Sequence, residues 1–168
     1  MVEFLLTIKP IDETISDVYK NFSCGDEDLD KYLQIFARQN HKKGIGKTFI
    51  AVNDICAVGF YTISMASLEF IDVPSDYNKG IPKYPVPVAK IGRLAVNSQF
   101  QGKKIGTALL FDALKKINEA SRVVAAYAVV VDAKNAKAKN FYENFGFASY
   151  KNELSLYLPM KTVNTLLG

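Results

Sequence analysis

Residues 91–107 read Ile91-Gly-Arg-Leu-Ala-Val96, then Asn97 to Phe100, then Gln101-Gly-Lys-Lys-Ile-Gly-Thr107. The first part is a β-rich run and the second a Gly-containing turn. Behind the turn Ile105, Leu109, Ala113 and Ile117 recur at helical spacing, so the stretch predicts strand, turn and amphipathic helix. Such a turn presents free backbone N–H groups at the positive end of a helix dipole. That arrangement suits a pyrophosphate, with Lys103 and Lys104 as countercharge and Gly106 allowing close approach to the backbone. A Gly in a strand-to-helix turn also serves as a mere connector, and the turn alone leaves both readings open.

Working outward, Val88 to Val96 predicts the strand, and nine apolar residues from Val123 to Val131 predict a second, buried on both faces like a central parallel strand. Ala138, Phe141, Tyr142 and Phe145 predict a helix stopped by Gly146, followed by strands near 147–151 and 154–158 that end at Pro159. Upstream, Phe4 to Ile8 predicts a short strand ending at Pro10. Ser23 to Asp28 supplies capping residues for a helix running to about His41, broken by Gly44 and Gly46. Lys47–Val52 and Cys56–Ser64 predict a hairpin turning at Asn53-Asp54, and residues 72–87, with four prolines, an irregular excursion. The order implies an α/β protein: one mixed β-sheet flanked by helices, with residues 1–168 as a single domain.

Composition removes several classes. With 49% apolar residues the chain is not disordered. Its longest apolar run is far below the roughly 20 residues of a spanning helix. Glu3 stands where an export signal carries positive charge, which predicts a cytoplasmic protein with Cys24 and Cys56 reduced. His41 is the only histidine; the simplest reading is a surface residue near a helix C-terminus, and no metal site is predicted. Gly44-Ile-Gly-Lys-Thr48 imitates a P-loop, but His41 occupies its first Gly position and the stretch follows a helix instead of a strand. Asp26-x-Asp28-x-Asp30 imitates a calcium loop, but Lys31 occupies the Gly position and Ala37 the bidentate Glu position. These acids are better read as first-turn helix charges.

Charge is divided unevenly. Residues 1–30 hold eight acids against two lysines, a net of −6, so the remaining 138 residues carry +10 of the total +4. From Lys31 to Lys47 there are five bases and no acid. Such a surface attracts polyanions, or it is a solvated helix face whose lysines complement helix C-termini.

The turn resembles the signature of the GNAT acetyltransferase superfamily, Gln/Arg-x-x-Gly-x-Gly/Ala. Gln101, Ile105 and Gly106 match, while Lys104 stands in place of the inner Gly. A second block, Asn135-x-x-Ala138-x-x-Phe141-Tyr142-Glu143-x-x-Gly146-Phe147, resembles the motif on the helix after the family's central strand. The resemblance implies the GNAT fold, with a splay between two parallel strands that holds acetyl-CoA as acetyl donor. It implies that Leu94, Ala95 and Val96 hold the pantetheine arm and acetyl carbonyl. Gln101, Gly102, Lys103, Lys104, Ile105, Gly106 and Thr107 would take the pyrophosphate, Asn135 would reach the cofactor arm, and Tyr142 would protonate the departing thiolate. A phenol with pKa about 10 is protonated at neutral pH, and a thiol of about 8.5 needs modest help to leave. The other reading of Tyr142 is a core aromatic in a Phe-Tyr stripe.

Cys24-Gly25, Leu29-Asp30-x-Tyr32-Leu33, Ala37-x-x-Asn40, Gly92-Arg93-Leu94-Ala95-Val96 and Leu158-Pro159-Met160 further resemble the acetyltransferase toxins of type II toxin–antitoxin modules. This implies acetylation of the α-amino group of an aminoacyl-tRNA, inhibited translation, and a ribbon-helix-helix antitoxin as partner. Arg38, Lys42 and Lys43 would contact the RNA backbone; Arg93 would orient either substrate or the sheet. An acetyltransferase for a small amine or protein lysine, and a non-catalytic acyl-CoA-binding module, remain as alternatives. The sequence leaves a homodimer open.

Overall fold

Seven strands form one mixed sheet in the order β1-β2-β3-β4-β5-β7-β6, in a computed structural model that describes residues 6–168. The described residues fall into two units: 6–64 with 92–113, and 65–91 with 114–168.

The first unit opens with β1 (Thr7–Pro10), antiparallel to β2 (Lys47–Val52), which pairs antiparallel with β3 (Ala57–Leu68). The strand predicted over Phe4–Ile8 lies partly outside the described residues. Between β1 and β2 runs a helical arm: α1 (Glu27–Lys31), a π turn (Tyr32–Phe36) and α2 (Ala37–Lys43). Asp26 starts it by accepting the N–H groups of Asp28 and Leu29 at 3.0 and 3.2 Å, and Gly44 ends it at φ 75°. The π turn keeps Tyr32, Leu33 and Ala37 against the core while Ile35 and Phe36 stay exposed. The core here joins Ile11, Phe22, Tyr32, Leu33, Ile50 and Phe60. β4 (Val86–Val96) ends in this unit and α3 (Ile105–Ala120) begins in it. Ile105 and Leu109 are buried as their spacing predicted. Gly59 lets α3 sit close: a Cβ there would lie 2.7 Å from Leu109 Cδ1 and 2.9 Å from the Ala95 carbonyl.

In the second unit β4 pairs in parallel with β5 (Ala128–Asp132), which pairs antiparallel with β7 (Ser155–Pro159), itself flanked by β6 (Ala148–Ser149). The parallel ladder runs from Ala89↔Val129 to Ile91↔Val131; beyond Ile91 the strand continues to Val96 with no β5 partner among the described residues. α4 (Ala136–Glu143) follows β5, and Gly146 turns the chain at φ 97°. No helix among the described residues is long and apolar enough to cross a membrane.

Three expectations are corrected. The strand predicted from Val123 begins only at Ala128: Val123 and Val124 are 88% and 56% exposed in the turns that leave α3. A continuous apolar run marks a buried strand but not its first residue. A further helix, α5 (Met160–Leu167), follows Pro159, its N-cap; its one buried residue, Val163, gives too little periodicity to announce it. His41 is at the end of α2 but is 5% exposed. Its Nδ1 accepts the Thr48 N–H at 3.0 Å and its Nε2 stands 3.4 Å from Asp12 Oδ1, so it fastens the arm to β2.

Candidate active site

Leu94 and Val96 are half-buried and Ala95 is buried. All three lie on the stretch of β4 that β5 does not pair. Unpaired main-chain groups on a strand can take an extended pantetheine arm as an added strand.

Asn97 fixes the exit from β4. Its N–H donates to the Val58 carbonyl at 2.8 Å and its Nδ2 to that of Ala57 at 3.2 Å. Its Oδ1 accepts the Gln99 N–H at 3.0 Å. No motif in the sequence marks this role; a cap-type residue directly before the turn is the available signal. Gln101, exposed, donates from Nε2 to the Val96 and Cys24 carbonyls at 3.1 and 3.2 Å. Gly102 has φ 80°, and Lys104, at φ 61°, is the one non-glycine with positive φ among the described residues. The Ala108 N–H closes on the Lys104 carbonyl at 3.2 Å, so the amides of Ile105, Gly106 and Thr107 precede the helical ladder. Three first-turn amides on a 16-residue helix, two adjacent lysines and two glycines suit a diphosphate. Lys103 lies beside this turn with its Nζ 5.8 Å from the Phe100 ring centre.

In the second unit Asn135 is exposed and caps α4, its Oδ1 accepting the Ala138 N–H at 2.9 Å. Its amide nitrogen remains the group that can reach a ligand. Tyr142, at the end of α4, is 5% exposed, its ring edge-on to Phe141 and Phe147 at 5.1 and 5.3 Å. Burial raises its pKa above the ordinary 10, so the phenol keeps its proton at neutral pH. Packing and proton donation are therefore compatible in this residue.

The remaining predicted residues sit in the first unit. Arg93, half-buried, lays its guanidinium carbon 3.5 Å from the ring centre of buried Tyr32. Arg38 donates from Nε to Tyr19 Oη at 2.8 Å and from a second nitrogen to the Thr14 carbonyl, so its guanidinium ties α2 to the segment before α1. Lys42 and Lys43 are exposed at the end of α2. Cys24 and Cys56 are free and half-buried. Burial, reinforced by Asp30, pushes the Cys24 thiol up to about 11, where it is not a nucleophile at neutral pH.

The profile of the acetyltransferase (GNAT) family matches residues 11–147. The chain belongs to this family. Among its relatives is a tRNA-acetylating toxin of Mycobacterium tuberculosis (strain ATCC 25618 / H37Rv), 35% identical over 154 residues that cover 91% of this chain and 92% of that protein. A probable toxin TacT of Sinorhizobium fredii (strain NBRC 101917 / NGR234) is 24% identical, over 96% of this chain and 94% of that one. A tyrosine-to-phenylalanine mutant of KacT superposes with TM-score 0.89 and 30% identity, covering 96% of this chain and 98% of its own. AtaT complexed with acetyl-methionyl-tRNAfMet superposes with TM-score 0.88 and 28% identity, over 97% and 99%. Within the GNAT signature, the structure explains why a glycine is usual where Lys104 stands: the position is left-handed, and an L side chain tolerates that at a cost of about 1–2 kcal/mol.

Proposed function

We propose that this GNAT protein is a cytoplasmic toxin of a toxin–antitoxin module, acetylating the α-amino group of an aminoacyl-tRNA and so inhibiting translation. The observation that carries the reading is the end of β4 that β5 does not pair, leading into an anion-ready turn on α3. The 35% identity to a tRNA-acetylating toxin supports the choice of acceptor, as does the solved complex of AtaT with acetylated methionyl-tRNA. A mutant of AtaT has also been solved with acetyl-CoA and the C-terminus of the antitoxin AtaR, which supports an antitoxin as partner here; the resemblance to type II toxins makes ribbon-helix-helix the expected type.

Acetyl-CoA supplies an activated thioester. Main-chain groups of Leu94, Ala95 and Val96 would hold the pantetheine arm and acetyl carbonyl. Residues 101–107 would hold the diphosphate, and the Asn135 amide would reach the arm. The amine would attack the thioester carbon and the C–S bond would break, with Tyr142 delivering its phenolic proton to the sulfur and the proton released by the amine returning the phenolate to phenol by way of solvent. An α-amine, with pKa near 7.7–8.0, is about a tenth free at pH 7 and increasingly so above it, whereas a lysine near 10.4 stays almost wholly protonated. This removes the need for a strong general base. Lys42 and Lys43 would contact phosphates without reading sequence, on a helix that Arg38 braces.

Transfer of labelled acetyl from acetyl-CoA to bulk charged tRNA tests the proposal. Label in charged tRNA supports it. Label only in polyamines or peptides assigns the chain to small-amine or protein acetylation, and tight coenzyme binding without transfer to a binding module. The pair Lys42→Glu and Lys43→Glu should weaken tRNA binding by about tenfold and flatten its salt dependence, since each phosphate contact removed lowers the slope by nearly one; unchanged binding returns these lysines to a solvated face.

A further inference from the structure

Cys24-Gly25, Leu29-Asp30 and Gln101 were singled out by the sequence, yet transfer chemistry uses neither the Cys24 peptide nor the Asp30 carboxylate. In the structure they meet. Asp30, on α1, accepts the Cys24 N–H on Oδ1 at 2.8 Å. Gln101, the first residue of the cofactor turn, donates Nε2 to the carbonyl of the same Cys24 at 3.2 Å and to that of Val96 at 3.1 Å. The Ser98 N–H adds a bond to the Ser23 carbonyl at 2.8 Å. One residue, Cys24, is thus held by α1 through its N–H and by the turn through its C=O. Gly25, at φ 91°, then bends the chain into α1.

We propose that Asp30 and Gln101 are positioning residues: a clasp on the Cys24 main chain that couples the cofactor turn to the helical arm, so that coenzyme and charged RNA bind more tightly together than apart. This rests on the reading of the arm's lysines as RNA contacts. Both Gln101 bonds are exposed, and an exposed bond contributes to stability only when its partners are already ordered. A diphosphate on residues 102–107 orders the turn that begins at Gln101. That strengthens the hold on Cys24 and fixes the hinge from which residues 27–43 depart, with Lys42 and Lys43 at the far end. RNA gripping the arm does the reverse, and the two effects are equal by linkage. The chemistry asks for a donor at 101 and an acceptor at 30: arginine keeps the first, asparagine the second.

The test titrates bulk charged tRNA with and without saturating free coenzyme A, which has no acetyl group to transfer. Wild-type affinity should rise about tenfold with coenzyme, within the range usual for such coupling. In Gln101→Ala and Asp30→Ala the rise should fall below about twofold, and in Gln101→Arg and Asp30→Asn most of it should remain. A rise unchanged in both alanine variants overturns the clasp, as does a loss equally complete in the conservative pair. Amide hydrogen exchange on the wild type is the second arm. Coenzyme alone should slow exchange at Cys24 and the first turn of α1; protection confined to 101–107 overturns the proposal. If the wild type binds no charged tRNA, the acceptor reading falls and with it the coupling to RNA, while the exchange result separately decides whether turn and arm are joined.

Discussion

Residues 101–107 and Tyr142 differ in material. The turn is largely exposed and the ligand groups proposed for it are main-chain N–H, held in place by Asn97, Gln101 and the seating of α3. Tyr142 is buried among Phe141 and Phe147, and its proposed contribution is one oxygen. A site made of backbone tolerates side-chain change, as Lys104 in a glycine position illustrates. A site made of one hydroxyl does not. Tyr142→Phe should therefore lower turnover about 100-fold or more, the usual contribution of a positioned acid, with coenzyme affinity and thermal stability nearly unchanged. An unchanged kcat would reduce Tyr142 to packing. The wild-type pH profile sharpens the point. Rate should climb as the acceptor amine loses its proton near pH 8 and show no fall up to about pH 10, because burial keeps the phenol protonated beyond its ordinary range.

Glycines divide the two regions next. Gly59→Ala places a Cβ 2.7 Å from Leu109 and 2.9 Å from a backbone oxygen, and backbone cannot swing aside. Overpacking of this kind costs about 2 kcal/mol, roughly a 4–8 °C fall in Tm for a chain this long, and it should weaken coenzyme binding by unseating α3. Gly146→Ala meets only side-chain atoms, Thr162 Cγ2 at 3.3 Å and Leu158 Cδ1 at 3.6 Å, but sits at φ 97°. Its cost of about 1 kcal/mol is conformational, and coenzyme affinity should hold. Calorimetry with a coenzyme titration separates the two outcomes, and equal effects on affinity would contradict the division.

Acid should loosen the first unit before the second. Burial lowers the His41 pKa below 6.5, outweighing Asp12, which raises it. Protonation also destroys the Nδ1 acceptor used by Thr48. A depressed histidine contributes stability that is complete above 6.5 and is lost as pH falls toward its folded value. In the second unit burial raises the Asp132 carboxyl, but Lys90 and Ser155 prevail and hold it below 3.8, so that contribution is lost only in stronger acid. Between pH 7 and 5 wild-type Tm should fall, and His41→Gln, whose amide oxygen accepts without titrating, should flatten the fall. Equal slopes would remove His41 from the account.

Legibility in the sequence followed the same physics. Lys47–Val52 forms β2 as predicted, and the apolar face Ile105, Leu109, Ala113, Ile117 is buried throughout, because short periods fix faces locally. The turn was legible because glycines and lysines mark it regardless of context. Val123 and Val124 misled because an apolar residue can remain exposed, and His41 because its burial depends on tertiary partners, Asp12 at the other side of the arm and Thr48 on β2. Arg38 is exposed as its charge suggests, but its bonds to Tyr19 and Thr14 were not legible, because charge alone does not announce a tertiary partner.

Lys104 gives the smallest expected effect and the finest test of the comparison, since one residue there carries both a backbone and a side-chain contribution. Lys104→Gly removes left-handed strain of about 1–2 kcal/mol and returns about 0.5–1 kcal/mol through the freer unfolded chain. The net is a gain below about 1 kcal/mol, a Tm rise of roughly 2 °C. It also deletes a cation beside the proposed diphosphate, so coenzyme affinity should drop about threefold at low salt and less at high salt, as befits an exposed charge. Lys104→Ala deletes the same charge but keeps the strain: it should lose the same affinity with no gain in Tm. If Lys104→Gly gained no more stability than Lys104→Ala, the left-handed turn would not be what residue 104 is asked to form. If neither lost affinity, the anion would be held by main chain alone, and the contrast with Tyr142 would be sharper still.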